Sequence, residues 1–251
     1  MPKPRRARAA ELSRRKGELR SALDSQEGRT AAAVLAVLAL HASSARALVG
    51  LDQRAARRAV DVSVAALAQG LAETYLDARV RAREAGWRTT THYLTRDGVE
   101  LPAERSDADG AEQDAVHART TATAQASAWG LMALGELRKA KASEPGALER
   151  AFERANEQLT PRLRTGAVHE NASAFNAGIG DVAAAAAEIG VILSREWVAD
   201  VDERTCKVCE ALDQLVVEGD DEFPEGDPPL HVRCRCYVLL HLGVAPPRAR
   251  R

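Results

Sequence analysis

A chain of 251 residues can bury a substantial core, and its length falls between one large domain and two smaller ones. Aromatic residues make up only 4% of it, and the apolar residues are mostly Ala, Leu and Val, so the core must be assembled from small side chains, a composition that favours closely packed helices. The formal net charge of −1 excludes an overall charge bias but hides an uneven distribution: Lys3, Arg5, Arg6, Arg8, Arg14, Arg15 and Lys16 crowd the start, and Arg248, Arg250 and Arg251 close the sequence. Such ends can neutralise nucleic-acid phosphates, although a solvated end is the commoner meaning of short basic runs.

In chain order, helices are expected over 8–24 and 29–49. The apolar run from Ala31 to Leu40 lies too far from the start, beyond Glu11, Glu18, Asp24 and Glu27, to be a signal peptide. At about ten residues it is too short for a bilayer, which takes roughly 20. The expectation is a protein made in the cytoplasm with no membrane partner. A longer helix is expected from Asp52 to about Arg83, with Val60, Val64, Leu67, Leu71 and Ala78 at helical spacing and Gly86 ending it. The stretch from Trp87 to Gly110, with its Arg96-Asp97-Gly98 turn, reads as a hairpin or irregular loop. Two further helices follow, over Glu112 to Ala142 and Ala147 to Leu159. The strongest periodicity comes next: Val168, Ala172, Phe175, Ile179, Val182, Ala186, Ile189 and Leu193 form one apolar stripe, suited to packing on the core or to a coiled-coil partner, with Gly190 ending the helix. Beyond it the period changes, and Arg195 to Val201, Leu215 to Val217 and His231 to Leu240 read as extended.

All four cysteines fall between positions 206 and 236. They occur as Cys206-Lys207-Val208-Cys209, then, after a gap of 21 residues, as His231-Val232-Arg233-Cys234-Arg235-Cys236. Zinc prefers four tetrahedral nitrogen and sulfur ligands, and a tight Cys-x-x-Cys turn directs two thiolates at one ion. Cys206, Cys209 and His231 are favoured as ligands, with Cys234 or Cys236 as the fourth. Disulfides or unrelated buried thiols are the alternatives, and a reducing cytoplasm disfavours the first. The intervening segment carries Glu218, Asp220, Asp221, Glu222, Glu225 and Asp227 and few apolar residues. A structural zinc, with an apparent binding free energy of roughly 10 to 16 kcal/mol, is ample to order it. Four protein ligands leave no position for water, which points to a structural rather than a catalytic ion.

The run Arg195-Glu196-Trp197, then Asp202 through Asp213 around the first cysteine pair, and Pro228-Pro229-Leu230-His231 with Cys234-Arg235-Cys236, resembles the phage Mu F-like head morphogenesis family of minor capsid proteins. The likeness covers about residues 165–240, including the helix with Glu170 and Asn176. It implies a structural, non-enzymatic component of the virion head, often next to the portal, that acts in head assembly, DNA packaging or delivery. The implied partners are the portal, major capsid or scaffold protein, with non-specific DNA contact through the basic ends. Gln214 stands where such proteins commonly carry Gly, which calls a left-handed turn there into question; Val232-Arg233 replace a common Pro-Asn. Within the motif, Trp197 is expected in the core, Asp202 is expected to pair with Arg204 or cap the turn before Cys206 unless both are solvated, and Arg235 to reach a carboxylate such as Asp213 or to lie exposed.

The resulting expectation is an α+β fold. Residues 1–160 form a mainly helical region with a basic arm, 161–242 a head-morphogenesis domain with a β-hairpin module stapled by zinc, and 243–251 a basic tail. A zinc-stabilised nuclease and a DNA-binding zinc protein are the competing readings. The nuclease lacks a Gly-rich phosphate loop, a Ser nucleophile elbow and any histidine pair at metal-binding spacing. The acidic segment between the ligand pairs opposes phosphate contact at the module itself.

Overall fold

The computed structural model describes residues 5–45, 53–102, 108–140, 146–200, 205–219 and 221–243. It is an α+β protein, as the sequence leads one to expect, with helices α1 (Arg5–Ala45), α2 (Gln53–Arg96), α3 (Ala108–Lys139), α4 (Ala147–Glu188) and α5 (Lys207–Leu212), and strands β1 (Leu193–Val198), β2 (Val216–Glu218) and β3 (Tyr237–Leu242). The strands form one antiparallel sheet in the order β2-β1-β3. Among the described residues no helix is long and apolar enough to cross a membrane.

The residues divide into two compact units, one comprising 28–79 and 108–170 and the other 1–27, 80–107 and 171–251. Among its described residues the first is helical apart from Ala140 and Gly146. Its core mixes a few large rings with a run of alanines: Ala118, Ala122, Ala126 and Ala133 line one side of α3, around the fully buried Trp129. Small residues let helices approach closely. A Cβ on Gly130 would lie 2.6 Å from Val64 Cγ2, and one on Gly166 would lie 2.1 Å from Gln125 Nε2. Trp129 stacks on Phe152 at 5.9 Å, meets the edge of His41 at 4.6 Å, and donates its indole N–H to Asn156 Oδ1 at 2.8 Å. In the same unit the buried Arg79 donates to Asp114 Oδ1 (3.0 Å) and Glu170 Oε2 (2.7 Å), and Thr121 donates to Glu170 Oε1. One cation thereby ties together residues of α2, α3 and α4.

The second unit packs the sheet on helical segments. Phe175, Ile179, Val182 and Ala186 of the predicted stripe are buried there with Leu19, Leu23, Trp87, Trp197 and Leu239, so most of the stripe serves the core; Ile189 at its end is exposed. Gly190 ends α4 as its residue type requires, at φ +76, with Val191 N–H donating to Ala186 O and Gly190 N–H to Ala187 O, the hydrogen bonds of a left-handed helix cap.

Several predicted boundaries give way. α1 runs unbroken through residues 25–28, and α2 continues past Gly86 to Arg96, so the loop expected from Trp87 begins only at Asp97. Gly86 does not stop the helix; it lets another helix touch it. A Cβ there would lie 2.2 Å from Phe175 O, and one on Gly178 would lie 2.0 Å from Arg83 O, so α2 and α4 meet backbone to backbone in this unit. A helical glycine costs about 1 kcal/mol relative to Ala, and the close packing offsets it. The expected break after Leu159 is likewise absent, and α4 passes through Pro161 because Leu159 and Leu163 on either side are both fully buried.

Candidate metal centre

The Cys206–Cys209 turn is the start of α5. Cys206 is its N-cap, and its sulfur accepts the Cys209 N–H at 3.4 Å. The second ligand segment differs from expectation: β3 begins at Tyr237, and residues 231–236 form a turn rather than a strand. Cys234 N–H donates to His231 O at 3.0 Å, and Arg233 takes φ +69. The chain thus presents two hooks with the same three-residue offset, Cys206 with Cys209 and His231 with Cys234.

The hooks converge. His231 Nε2 lies 3.1 Å from Cys206 Sγ and 3.2 Å from Cys209 Sγ, and the sulfurs of Cys209 and Cys234 are 3.8 Å apart. Donor atoms of Cys206, Cys209 and His231 form one group within 4.8 Å, and those of Cys209, Cys234 and Cys236 form a second. All five predicted residues therefore come together, with Cys209 common to both groups. Two sulfurs bound tetrahedrally to one zinc at about 2.3 Å stand about 3.8 Å apart, the spacing of Cys209 and Cys234. The donors can hold a metal ion. His231 Nδ1 lies 2.9 Å from Val232 O; donating its proton there leaves the Nε2 lone pair aimed at the two sulfurs.

The protonation pattern points the same way. The Cys234 thiol is held down at about 5, chiefly by the hydrogen bond from the Cys236 side chain, whose own thiol is pushed up in turn. Burial pushes Cys209 up to about 12, while the backbone N–H of Cys209 lowers Cys206. The thiols cannot all ionise on their own, and a dication supplies the missing charge.

Asn176 of α4 fixes the exit from this centre. Its Nδ2 donates to Ala172 O (2.8 Å) and Cys236 O (3.0 Å), and its Oδ1 accepts the Val238 N–H at 2.9 Å. Tyr93 Oη accepts the next outward N–H of β3, that of Leu240, at 3.0 Å. On the other side, the acidic segment is held by contacts that its composition does not reveal. Phe223 is buried against Trp197, ring centroids 5.4 Å apart. Arg195 lies over the Phe223 ring and gives Nη1 to both Asp227 oxygens at 3.0 Å and Nη2 to Asp221 O. The sequence offered one signal for this anchor, a lone aromatic within an acidic run. Trp197 is fully buried as expected. Arg235 reaches a carboxylate, that of Asp200 at 2.5 Å, and Asp213 Oδ1 accepts the Ala199 N–H at 3.0 Å. Asp202 and Arg204 lie outside the described residues.

Gln214 keeps the left-handed turn that its side chain called into question, with φ +62. Its N–H donates to Trp197 O at 2.7 Å, and Trp197 N–H donates to Leu215 O at 2.8 Å; these bonds require the turn to close whatever residue occupies it. An L-residue there carries a cost of about 1–2 kcal/mol, part of which a glycine returns as unfolded-state entropy. Gln214→Gly is expected to raise stability by roughly 0.5–1 kcal/mol in urea unfolding.

A mainly helical protein whose C-terminal sheet is sewn to a cysteine and histidine knuckle is the class that this fold and site define. The family described as phage Mu protein F like protein matches residues 60–239, and the chain belongs to that family. The match reaches well upstream of the cysteine motif, into α2, where no resemblance was legible residue by residue. No curated protein and no solved structure matches the chain.

Proposed function

We propose that this protein is a structural component of the phage head, incorporated during assembly, and that one structural zinc closes its C-terminal module. Family membership supports a role in head morphogenesis. The observation that carries the finer reading is the approach of two three-residue hooks, with the donors of Cys206, Cys209 and His231 within 4.8 Å of one another and the sulfurs of Cys209 and Cys234 3.8 Å apart. Cys206, Cys209, His231 and Cys234 would complete a tetrahedral shell, with Cys236 beside it as hydrogen-bond donor to Cys234. Such a shell has no open position for water or substrate, so the ion stabilises rather than reacts, and the protein acts by assembly rather than catalysis. In this reading the chain contacts other head proteins, the portal, major capsid or scaffold protein, and the basic ends contribute non-specific contact to packaged DNA.

Mass spectrometry of purified particles, combined with cross-linking, tests the placement. The protein should be recovered from DNA-filled heads and cross-linked to a head protein; its absence from washed particles would overturn the reading.

A further inference from the structure

We infer that the all-helical unit carries a binding site for the phosphate backbone of duplex nucleic acid, formed where α2 begins and α3 closes. Arg54, Arg57 and Arg58 occupy the first two turns of α2 and are exposed. Offsets of three and four residues put them on one helix face. Among the described residues none of the three has a hydrogen bond or ion pair. Asp61, one turn further on, is exposed as well and pairs with none of them.

These positions are unfavourable for cations. The start of a helix carries the positive end of its dipole, and the first turn of α2 holds no acidic residue to compensate. The described residues therefore give no folding reason for three arginines there, whereas an external polyanion does. α2 and α3 run antiparallel: Arg79 meets Asp114, Tyr75 meets Gln125 at 2.7 Å, and Gly130 sits against Val64 and Val60. That register brings Arg138, in the last turn of α3, level with the first turns of α2. Arg138 is exposed and likewise has no partner among the described residues. The planar guanidinium fork matches phosphate oxygens in pairs, and contacts of this kind carry affinity without sequence preference.

The test compares the full-length protein with its Arg54→Gln/Arg57→Gln/Arg58→Gln variant, using fluorescence anisotropy with a mixed-sequence duplex of about 30 base pairs over about 50–300 mM salt. The variant should bind at least about tenfold more weakly near 100 mM, and the slope of log K against log salt should fall by about 2.7, or about 0.9 for each phosphate no longer neutralised. Its melting temperature should be unchanged or higher, because the substitutions remove charge from the positive end of a helix. Arg162→Gln/Arg164→Gln, which removes two exposed charges elsewhere on the unit, should leave affinity within about twofold. An unchanged slope in the triple variant, no binding by the parent protein, or displacement of the duplex by polyglutamate at equal charge concentration would each overturn the inference, the last in favour of an acidic protein surface.

Discussion

Cys209→Ser should abolish metal binding, because Cys209 is the residue shared by both donor groups. Purified wild-type protein is expected to hold about one equivalent of zinc, and the variant about none, as read by inductively coupled plasma mass spectrometry. The loss should propagate through α5, a helix of only six residues, and the 231–236 turn. Hydrogen exchange should show residues 205–236 opening while the all-helical unit stays protected. Cys236→Ser provides the contrast: with Cys236 outside the shell, the ion stays bound, whereas Cys234→Ser releases it. Equal metal loss in the Cys234 and Cys236 variants would contradict the proposed ligand set, and a wild-type protein that folds without metal would contradict the staple itself.

A comparable loss is expected in the other unit from Arg79→Met. Arg79, Asp114 and Glu170 are each almost completely buried, and the guanidinium bridges the two carboxylates at 2.9 and 2.7 Å. Removing the cation leaves two carboxylates in a dry interior, at a cost of about 3–5 kcal/mol. The urea midpoint should fall accordingly. The triple replacement Arg79→Met/Asp114→Leu/Glu170→Leu removes all the charges together and should recover most of that stability, because desolvating the ions offsets much of their attraction. If the single variant lost no more than about 1 kcal/mol, the bridge would behave like a surface ion pair, and its place in the core would need another explanation.

The cysteine and histidine cluster was the most legible part of the molecule, because thiols and an imidazole carry their chemistry in their identity and their spacing limits how they can meet. The register of the α4 stripe, the burial of Trp197 and the cap at Gly190 were legible for a similar reason, since each depends on residues close in sequence. The failures were at Gly86 and Pro161, where local signals for a break are real but packing outweighs them. Gly86 looks the same in sequence whether it ends a helix or admits the backbone of another at Phe175. The hold on the acidic segment was hidden because it comes from Arg195 on β1, and the closure of β3 because it comes from Tyr93 on α2, both remote in sequence. Gln214 gives the converse lesson: the turn survived an unfavourable residue because Trp197 supplies bonds at both of its ends.

The side-chain bonds from Asn176 and Tyr93 to β3 also bear on how crowded this protein can safely become. An exposed strand edge invites a neighbouring chain to add itself as another strand, a hazard that grows with local concentration. On the β3 side the outward N–H groups of Val238 and Leu240 and the Cys236 carbonyl are already engaged, while β2 on the opposite side offers only three residues. A sheet closed on one side and cut short on the other gives an added strand little to pair with among the described residues.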